Sequence, residues 1–325
     1  MSNAAKFILL FLLFCIGIYM SLFFGGSESL NFSDLSADFI FYQIRLPKTI
    51  TARLAGAALS VSGLILQVIF RNPLAGPYVL GISSGASLAV ALSVMAGSGL
   101  HFLPGFFWAK AYTVLSSIVG SFAMTILILS IAVRVKKNVI LLLIGLMISQ
   151  ICGALQTVIE YFAEPESLKN FVLWSMGSMS TTNLQDIPLL AGSTLIVLGL
   201  LLFFIKPLNA FLLGQLYAQN LGVSVKQKRF WLILISSSLT GIITAYCGPI
   251  AFVGIAVPIL SRMLFQVSKQ QVHLAACLFL GPILLLFADA FAHSLIKHMA
   301  LPINMITTFI GAPLVIYLMF KNKQW

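Results

Sequence analysis

Charge is what this sequence has least of. Only 8% of its 325 residues are Asp, Glu, Lys or Arg, and just 8 of them are acidic. A soluble domain carries about a quarter charged residues, so an ordinary water-exposed globule is excluded. Cysteine is also sparse. Cys15, Cys152, Cys247 and Cys277 all lie inside apolar runs without CxxC spacing, which argues against a disulfide framework or a zinc site and reads as small buried residues. No GxxxxGK[ST] stretch occurs, so ATP should not be held by a phosphate-binding loop of this chain. No HExxH pair is present and no nucleophile elbow is read, so hydrolase chemistry of those kinds is not expected.

What is abundant is apolar sequence. The chain is 60% hydrophobic with a mean hydropathy of +1.04. That length accommodates about ten spans of about 20 residues each, leaving no room for a soluble domain. Candidate spans fall at 7–24, 47–70, 82–100, 109–133, 139–162, 187–205, 230–247, 252–267, 272–296 and 303–320. The first has no small-residue cleavage site before Gly25-Gly26 and is read as a retained span rather than a secretory signal. The net charge of +11 is dispersed between apolar runs, which suits a membrane surface better than a nucleic acid. Most Lys and Arg collect on one set of connections, around Lys6, Arg134 to Lys137, Lys206 and Lys226 to Arg229, which places both termini in the cytoplasm. The acidic residues Glu160, Glu164 and Glu166 then face outward; an acidic loop is the plainer reading, cation binding the alternative.

Two breaks interrupt the apolar runs. One is Asn72-Pro73-Leu74-Ala75-Gly76-Pro77, leading to Gly81; the other is Cys247-Gly248-Pro249-Ile250-Ala251-Phe252-Val253-Gly254. By topology they fall on opposite faces, the arrangement an inverted repeat with a path between its halves would produce. Phe171 to Met176 is too short to span and should form a short outer helix. Pro207 to Arg229 places Leu208, Phe211, Leu212, Leu216 and Leu221 at amphipathic spacing, so it should form one or two short helices broken at Gly214 and Gly222. Such helices can lie on lipid headgroups or serve as a docking surface for a cytoplasmic partner. Asp289 and His293, four apart, share a helix face. A polar contact between helices is the plain reading; two side chains alone do not make a metal site, and a substrate role is the alternative.

Several stretches carry a resemblance. Arg45-Leu46-Pro47-Lys48, Gly63 to Gln67, Phe70-Arg71-Asn72-Pro73-Leu74-Ala75 and Leu80-Gly81-Ile82-Ser83-Ser84-Gly85-Ala86 are followed by Trp174-Ser175-Met176-Gly177-Ser178. Then come Leu213-Gly214 to Ala218, Leu221-Gly222-Val223, Gly248 to Gly254, and Leu301-Pro302 to Gly311-Ala312-Pro313. In this order they resemble the iron-siderophore and vitamin B12 ABC importer permeases, the FecCD/BtuC family. The resemblance implies an all-α polytopic protein with ten transmembrane helices in the bacterial inner membrane. Such a protein is not an enzyme and binds no cofactor of its own. It pairs with a second copy around a path for an iron-siderophore, a corrinoid or haem, with two cytoplasmic ATPase subunits below and a substrate-binding protein outside. Carried over residue by residue, Leu213, Gly214, Ala218, Leu221, Gly222 and Val223 would couple to the ATPase, the small ones permitting close approach. Arg45, Lys48 and Lys297 would meet the binding protein, or simply snorkel to the interface. Ser83 and Ser84 would lie at the inner gate; many family members have Asn where Ser84 stands. A stand-alone secondary transporter, or an intramembrane enzyme built on Asp289 and His293, are the rival readings.

Overall fold

The computed structural model describes residues 2–23, 39–96, 106–132, 134–135, 138–294 and 301–321. These residues form helices and connecting turns, with no strand among them. In chain order the helices are α1 (Asn3–Phe23), α2 (Leu46–Phe70, entered through a π-helical turn at Phe41–Arg45), α3 (Ile82–Ala96), α4 (Phe106–Ala132), α5 (Asn138–Tyr161) and α6 (Pro165–Ser175). They continue as α7 (Ile187–Leu202), α8 (Ile205–Leu212), α9 (Gln215–Asn220), α10 (Val225–Cys247), α11 (Val253–Leu264), α12 (Gln270–Ser294) and α13 (Ile303–Lys321).

Every apolar run singled out in the sequence contains a helix, but their lengths differ. Among the described residues six helices are long and apolar enough to cross a membrane, or seven if α7 and α8, bent by 59° at Phe203-Phe204, count as one span. Segments within α3, α11 and α13 are apolar but shorter. The short outer helix expected around Phe171 is α6, with Pro165 in its first turn, where the missing N–H is no loss. The largest boundary difference is at α10, which begins at Val225 rather than near 230 and so takes Lys226, Lys228 and Arg229 into its first two turns. Their polarity made this stretch look like loop, but long basic side chains are tolerated at a helix end because their heads reach the interface.

The organising element is α2. Of its most apolar stretch 89% is buried, against 17% for α1 and 22% for α5, so α2 runs through the centre while those two line the outside. Apolar burial cannot select neighbours when lipid is as apolar as Leu; close backbone approach and interhelical hydrogen bonds must do so. Both occur along α2. A Cβ on Gly56 would collide with the backbone of Gly281 in α12, and one on Gly63 with the backbone of Gly254 in α11. Ser62 Oγ donates to the Ser236 carbonyl at 3.0 Å and lies 2.8 Å from Thr240 Oγ1, joining α2 to α10. Ser60 donates to the Cys277 carbonyl at 2.9 Å, and Ser21 and Thr49 share a 2.8 Å contact that attaches α1.

The breaks expected on opposite faces instead meet inside the bundle. A Cβ on Gly76 would lie 2.7 Å from Ile255 Cγ1, and one on Gly254 would lie 2.9 Å from Pro77 Cδ. Pro and Gly leave little side-chain bulk, so two irregular segments can pass against one another. Their freed backbone groups are satisfied by protein, as irregular backbone at membrane depth requires. The Leu74 N–H binds Asn72 Oδ1 at 2.9 Å, the Ala75 N–H binds the Asn72 carbonyl at 3.1 Å, and Gln67 Nε2 donates to the Ile255 carbonyl at 3.1 Å.

Candidate functional site: the connected ends of the bundle

The segment between α7 and α10 forms two short helices, α8 and α9, as the amphipathic spacing predicts. Gly214 and Gly222 stand at the breaks with φ of 111° and 77°, a region that side chains disfavour. Of this pair, α8 packs against both α2 and α12. Arg71, the left-handed residue that ends α2, brings Nη1 to within 3.5 Å of where a Gly214 Cβ would sit. Asn209 of α8 accepts the Gln270 N–H at 2.9 Å, capping the first turn of α12. A displacement of α8 and α9 would therefore reach α2 and α12 directly.

Not all of the proposed coupling residues point outward. Ala218 is fully buried and Gly214 is buried, so their smallness serves packing within the chain. Leu213 and Leu221 are 62% and 58% exposed, and between them Tyr217 is 51% exposed. These three leave apolar surface uncovered on this segment, Leu213 before the Gly214 break and Tyr217 and Leu221 after it. Val223 is half-buried and packs toward the core, while Gly222 has no neighbour near its missing side chain. Tyr217 was missed by sequence reasoning, although it falls midway between the two Leu residues in sequence.

At the opposite end of α2 the basic residues are placed differently from expectation. Arg45 and Lys48 are 4% and 1% exposed, not a solvent-facing rim. Arg45 Nη1 donates to the carbonyls of Leu22 and Phe23, at 2.9 and 2.8 Å, and so caps the end of α1. Lys48 Nζ lies 3.0 Å from Asp289 Oδ2. A charge so deep is costly alone, and pairing within the bundle is what makes it tolerable. His293 Nδ1 lies 2.9 Å from the Asp289 carbonyl and 3.5 Å from Oδ1. Asp289 is therefore an interhelical partner of Lys48, as the plain reading of this pair expects. Among the described residues no three His, Cys, Asp or Glu side chains are grouped to hold a metal. Lys297 lies outside the described residues.

Ser83 and Ser84 occupy the first turn of α3. Ser83 is 3% exposed and Ser84 half-buried, just after Gly81, which packs against Met124 and Ser149.

The remaining sequence motifs converge on one junction. The Ser178 N–H binds the Cys247 carbonyl at 2.9 Å, and Thr181 Oγ1 donates to the Tyr246 carbonyl at 2.8 Å. Asn304, at the start of α13, accepts the Ala251 N–H at 3.1 Å, while its own N–H reaches the Met176 carbonyl at 3.4 Å. Gly311, about two turns further on, packs against Phe252. Stretches far apart in the chain, Ala251 with Asn304 and Asn304 with Met176, thus satisfy each other's backbone. A shallow pocket of about 430 Å³ opens beside them, lined by Met176, Asn304, Met305 and Phe309 among others.

Comparison with known proteins agrees with this geometry. Residues 6–321 match the model of the FecCD transport family. The vitamin B12 import system permease protein BtuC of Serratia proteamaculans is 35% identical over 298 residues, covering 90% of this chain and 85% of that protein. The hemin transport system permease protein HmuU of Yersinia pestis is 37% identical over 290 residues, covering 88% and 84%. A solved structure assigned to the metal-chelate type of ABC transporter, in an inward-facing conformation, superposes with a TM-score of 0.86 at 31% identity, covering 98% of this chain and 100% of that one. The chain is a multi-pass membrane protein and belongs to the FecCD transport family.

Proposed function

We propose that the chain is the permease subunit of an ABC importer, crossing the inner membrane ten times with both termini in the cytoplasm. Two copies enclose a path for an iron-siderophore complex. Two cytoplasmic ATPases drive it, and an extracytoplasmic binding protein delivers the substrate. The observation that carries this reading is the α8–α9 pair. Its Leu213, Tyr217 and Leu221 are exposed apolar surface, while α8 packs against α2 and α12 and Asn209 caps the latter. That is the construction of a lever: a docking face on one side, attachment to α2 and α12 on the other.

Relatives named for vitamin B12 and hemin, and a structure of the metal-chelate type, support a bulky metal chelate as cargo. A ferric siderophore belongs to that chemical class; cobalamin and haem are the alternatives. In alternating access, nucleotide binding would draw the ATPases together, α8 and α9 would follow, and the inner gate near Ser83 and Ser84 would change state. Because Arg45 and Lys48 are buried, docking of the binding protein falls to other outward groups, with Lys297 retained as a candidate.

The test is reconstitution in liposomes with the cognate ATPase and binding protein. ATP-dependent uptake of a ferric siderophore, without uptake of cobalamin or haem, is expected. Preference for either of the others reassigns the cargo. Transport by the chain alone on an ion gradient would overturn the importer reading in favour of a secondary transporter.

A further inference from the structure

A second groove, of about 990 Å³, opens beside the coupling segment where the end of α4 meets the start of α10. Its two halves differ in chemistry. One wall is apolar, built from Leu129, Ala132 and Val135 on the α4 side and Phe230 and Ile233 on α10. The mouth carries Lys226 and Arg229, with Lys228 adjacent on the same turns and Arg134 exposed at the end of α4. Phe230 and Trp231 are 44% and 43% exposed, the position that aromatic side chains favour at a membrane–water boundary.

Arg229 is the most informative of these groups. Its guanidinium lies 5.7 Å from the centre of the Phe70 ring, which fixes where the head can sit. Yet Nε and Nη2 are both buried and have no hydrogen-bond partner among the described residues. A guanidinium presents five donors in a rigid fork and has no neutral form to retreat to, so leaving three of them, on Nε and Nη2, unpaired in the protein is costly. The first turn of α10 adds to the demand. Its N-cap Ser224 makes no side-chain bond to the helix backbone, its Oγ donating instead to Gln227 Oε1 at 3.3 Å, so the free N–H groups and the positive end of the helix face the same region. Among the described residues that line the groove none is acidic.

We infer that this groove binds an anionic phospholipid of the inner leaflet, its phosphate at Arg229 and Lys226 and an acyl chain along Leu129, Ala132 and Val135. Basic pockets between spans on the cytoplasmic side have the chemistry that recognises such headgroups. An apolar wall continuous with the mouth distinguishes a lipid from a free phosphate, which would gain nothing from Leu129 or Ile233. Because Gly222 and Val223 also line the groove, a bound lipid would sit against the coupling segment itself.

The experiment is native mass spectrometry of the purified full chain in detergent, with phosphatidylglycerol and phosphatidylcholine of identical acyl chains and, separately, inorganic phosphate. Two basic side chains at the membrane surface predict a preference for phosphatidylglycerol of about thirtyfold. Lys226→Gln with Arg229→Gln should bring the two lipids to near parity. Ala132→Trp, which fills the apolar wall and leaves the charges, should weaken both. Equal retention of the two lipids by the unaltered chain overturns the proposal and needs no variant to fold. Undiminished preference in the double variant overturns it as well. If inorganic phosphate displaces phosphatidylglycerol at equal concentration, the groove is a free-anion site. If binding of the ATPase expels the lipid, the groove belongs to that subunit. Either result refutes the lipid assignment while leaving the importer reading intact.

Discussion

Lys48 and Asp289 form an ion pair at 3.0 Å with both side chains at least 95% buried, joining the N-terminal end of α2 to α12. Both helices also pack against α8, with Asn209 accepting the Gln270 N–H, and their middles touch at Gly56 and Gly281. The two helices are thereby clamped at three depths, and the relationship can be tested at each.

Removing one member of the pair leaves the other charge buried without its partner. Lys48→Met or Asp289→Leu alone should destabilise the chain by about 3–5 kcal/mol, whereas the double substitution should recover most of that loss, because desolvation is relieved together with the attraction. Thermal unfolding in detergent measures both. A double variant no more stable than the worse single one would show that the contact does not act as a pair.

The close approach of α2 to its neighbours leaves no room for side chains. Gly63→Ala would drive a methyl group into the Gly254 backbone, and Gly56→Ala one into Gly281. Backbone cannot rotate away as a side chain can, so each should cost at least the upper part of the usual overpacking range of about 1–3 kcal/mol. Gly199, which has nothing within 4 Å of its missing Cβ, is the control: Gly199→Ala should leave the melting temperature unchanged or slightly raised, helix propensity favouring Ala by about 1 kcal/mol.

In the coupling segment the exposed and buried positions should separate cleanly. Leu221→Glu or Tyr217→Glu places a charge on the uncovered apolar surface and should abolish ATPase association, with folded yield unchanged. Ala218→Glu should reduce the folded yield itself, because it buries an unpaired carboxylate. Size-exclusion profiles and co-purification with the ATPase distinguish the two. Retained association in both exposed variants would move the docking face elsewhere.

Two asparagine side chains act as clasps for backbone N–H groups, Asn209 on Gln270 and Asn304 on Ala251. Alanine at either should cost about 1–2 kcal/mol, the usual effect of losing such a cap or leaving a donor unmade. Hydrogen exchange should then quicken at the amide of Gln270 or Ala251 respectively. Unaltered exchange at those amides would show that the bonds are not formed in the membrane.

The helical class and the order of the segments were legible because lipid imposes them locally: each span must satisfy its own backbone, so an apolar run of sufficient length announces a helix without reference to its neighbours. The breaks at Gly214 and Gly222 were legible for a similar reason, since backbone conformation is chosen within a few residues. Which side of each helix meets which partner is not a local property. Lys48 and Arg45 read as an outer rim because basic residues near a helix end ordinarily reach water; only the arrival of Asp289 from 241 positions later, and of the α1 carbonyls, turns them inward. Ala218 read as a docking residue by its size and is buried by the packing of a six-residue helix against the bundle.

The sequence alone determined that this chain lives in a membrane, folds as helices and carries the motifs of its transport family. Tertiary structure decided what those motifs do for each other: Gly63 meets Gly254, Pro77 sits under the same turn, and Asn304 holds Ala251. The reason is physical. In lipid, apolar surface does not choose its neighbour, so helix partners are selected by backbone approach and hydrogen bonds between residues far apart in the chain, and no single stretch contains both halves of such a contact.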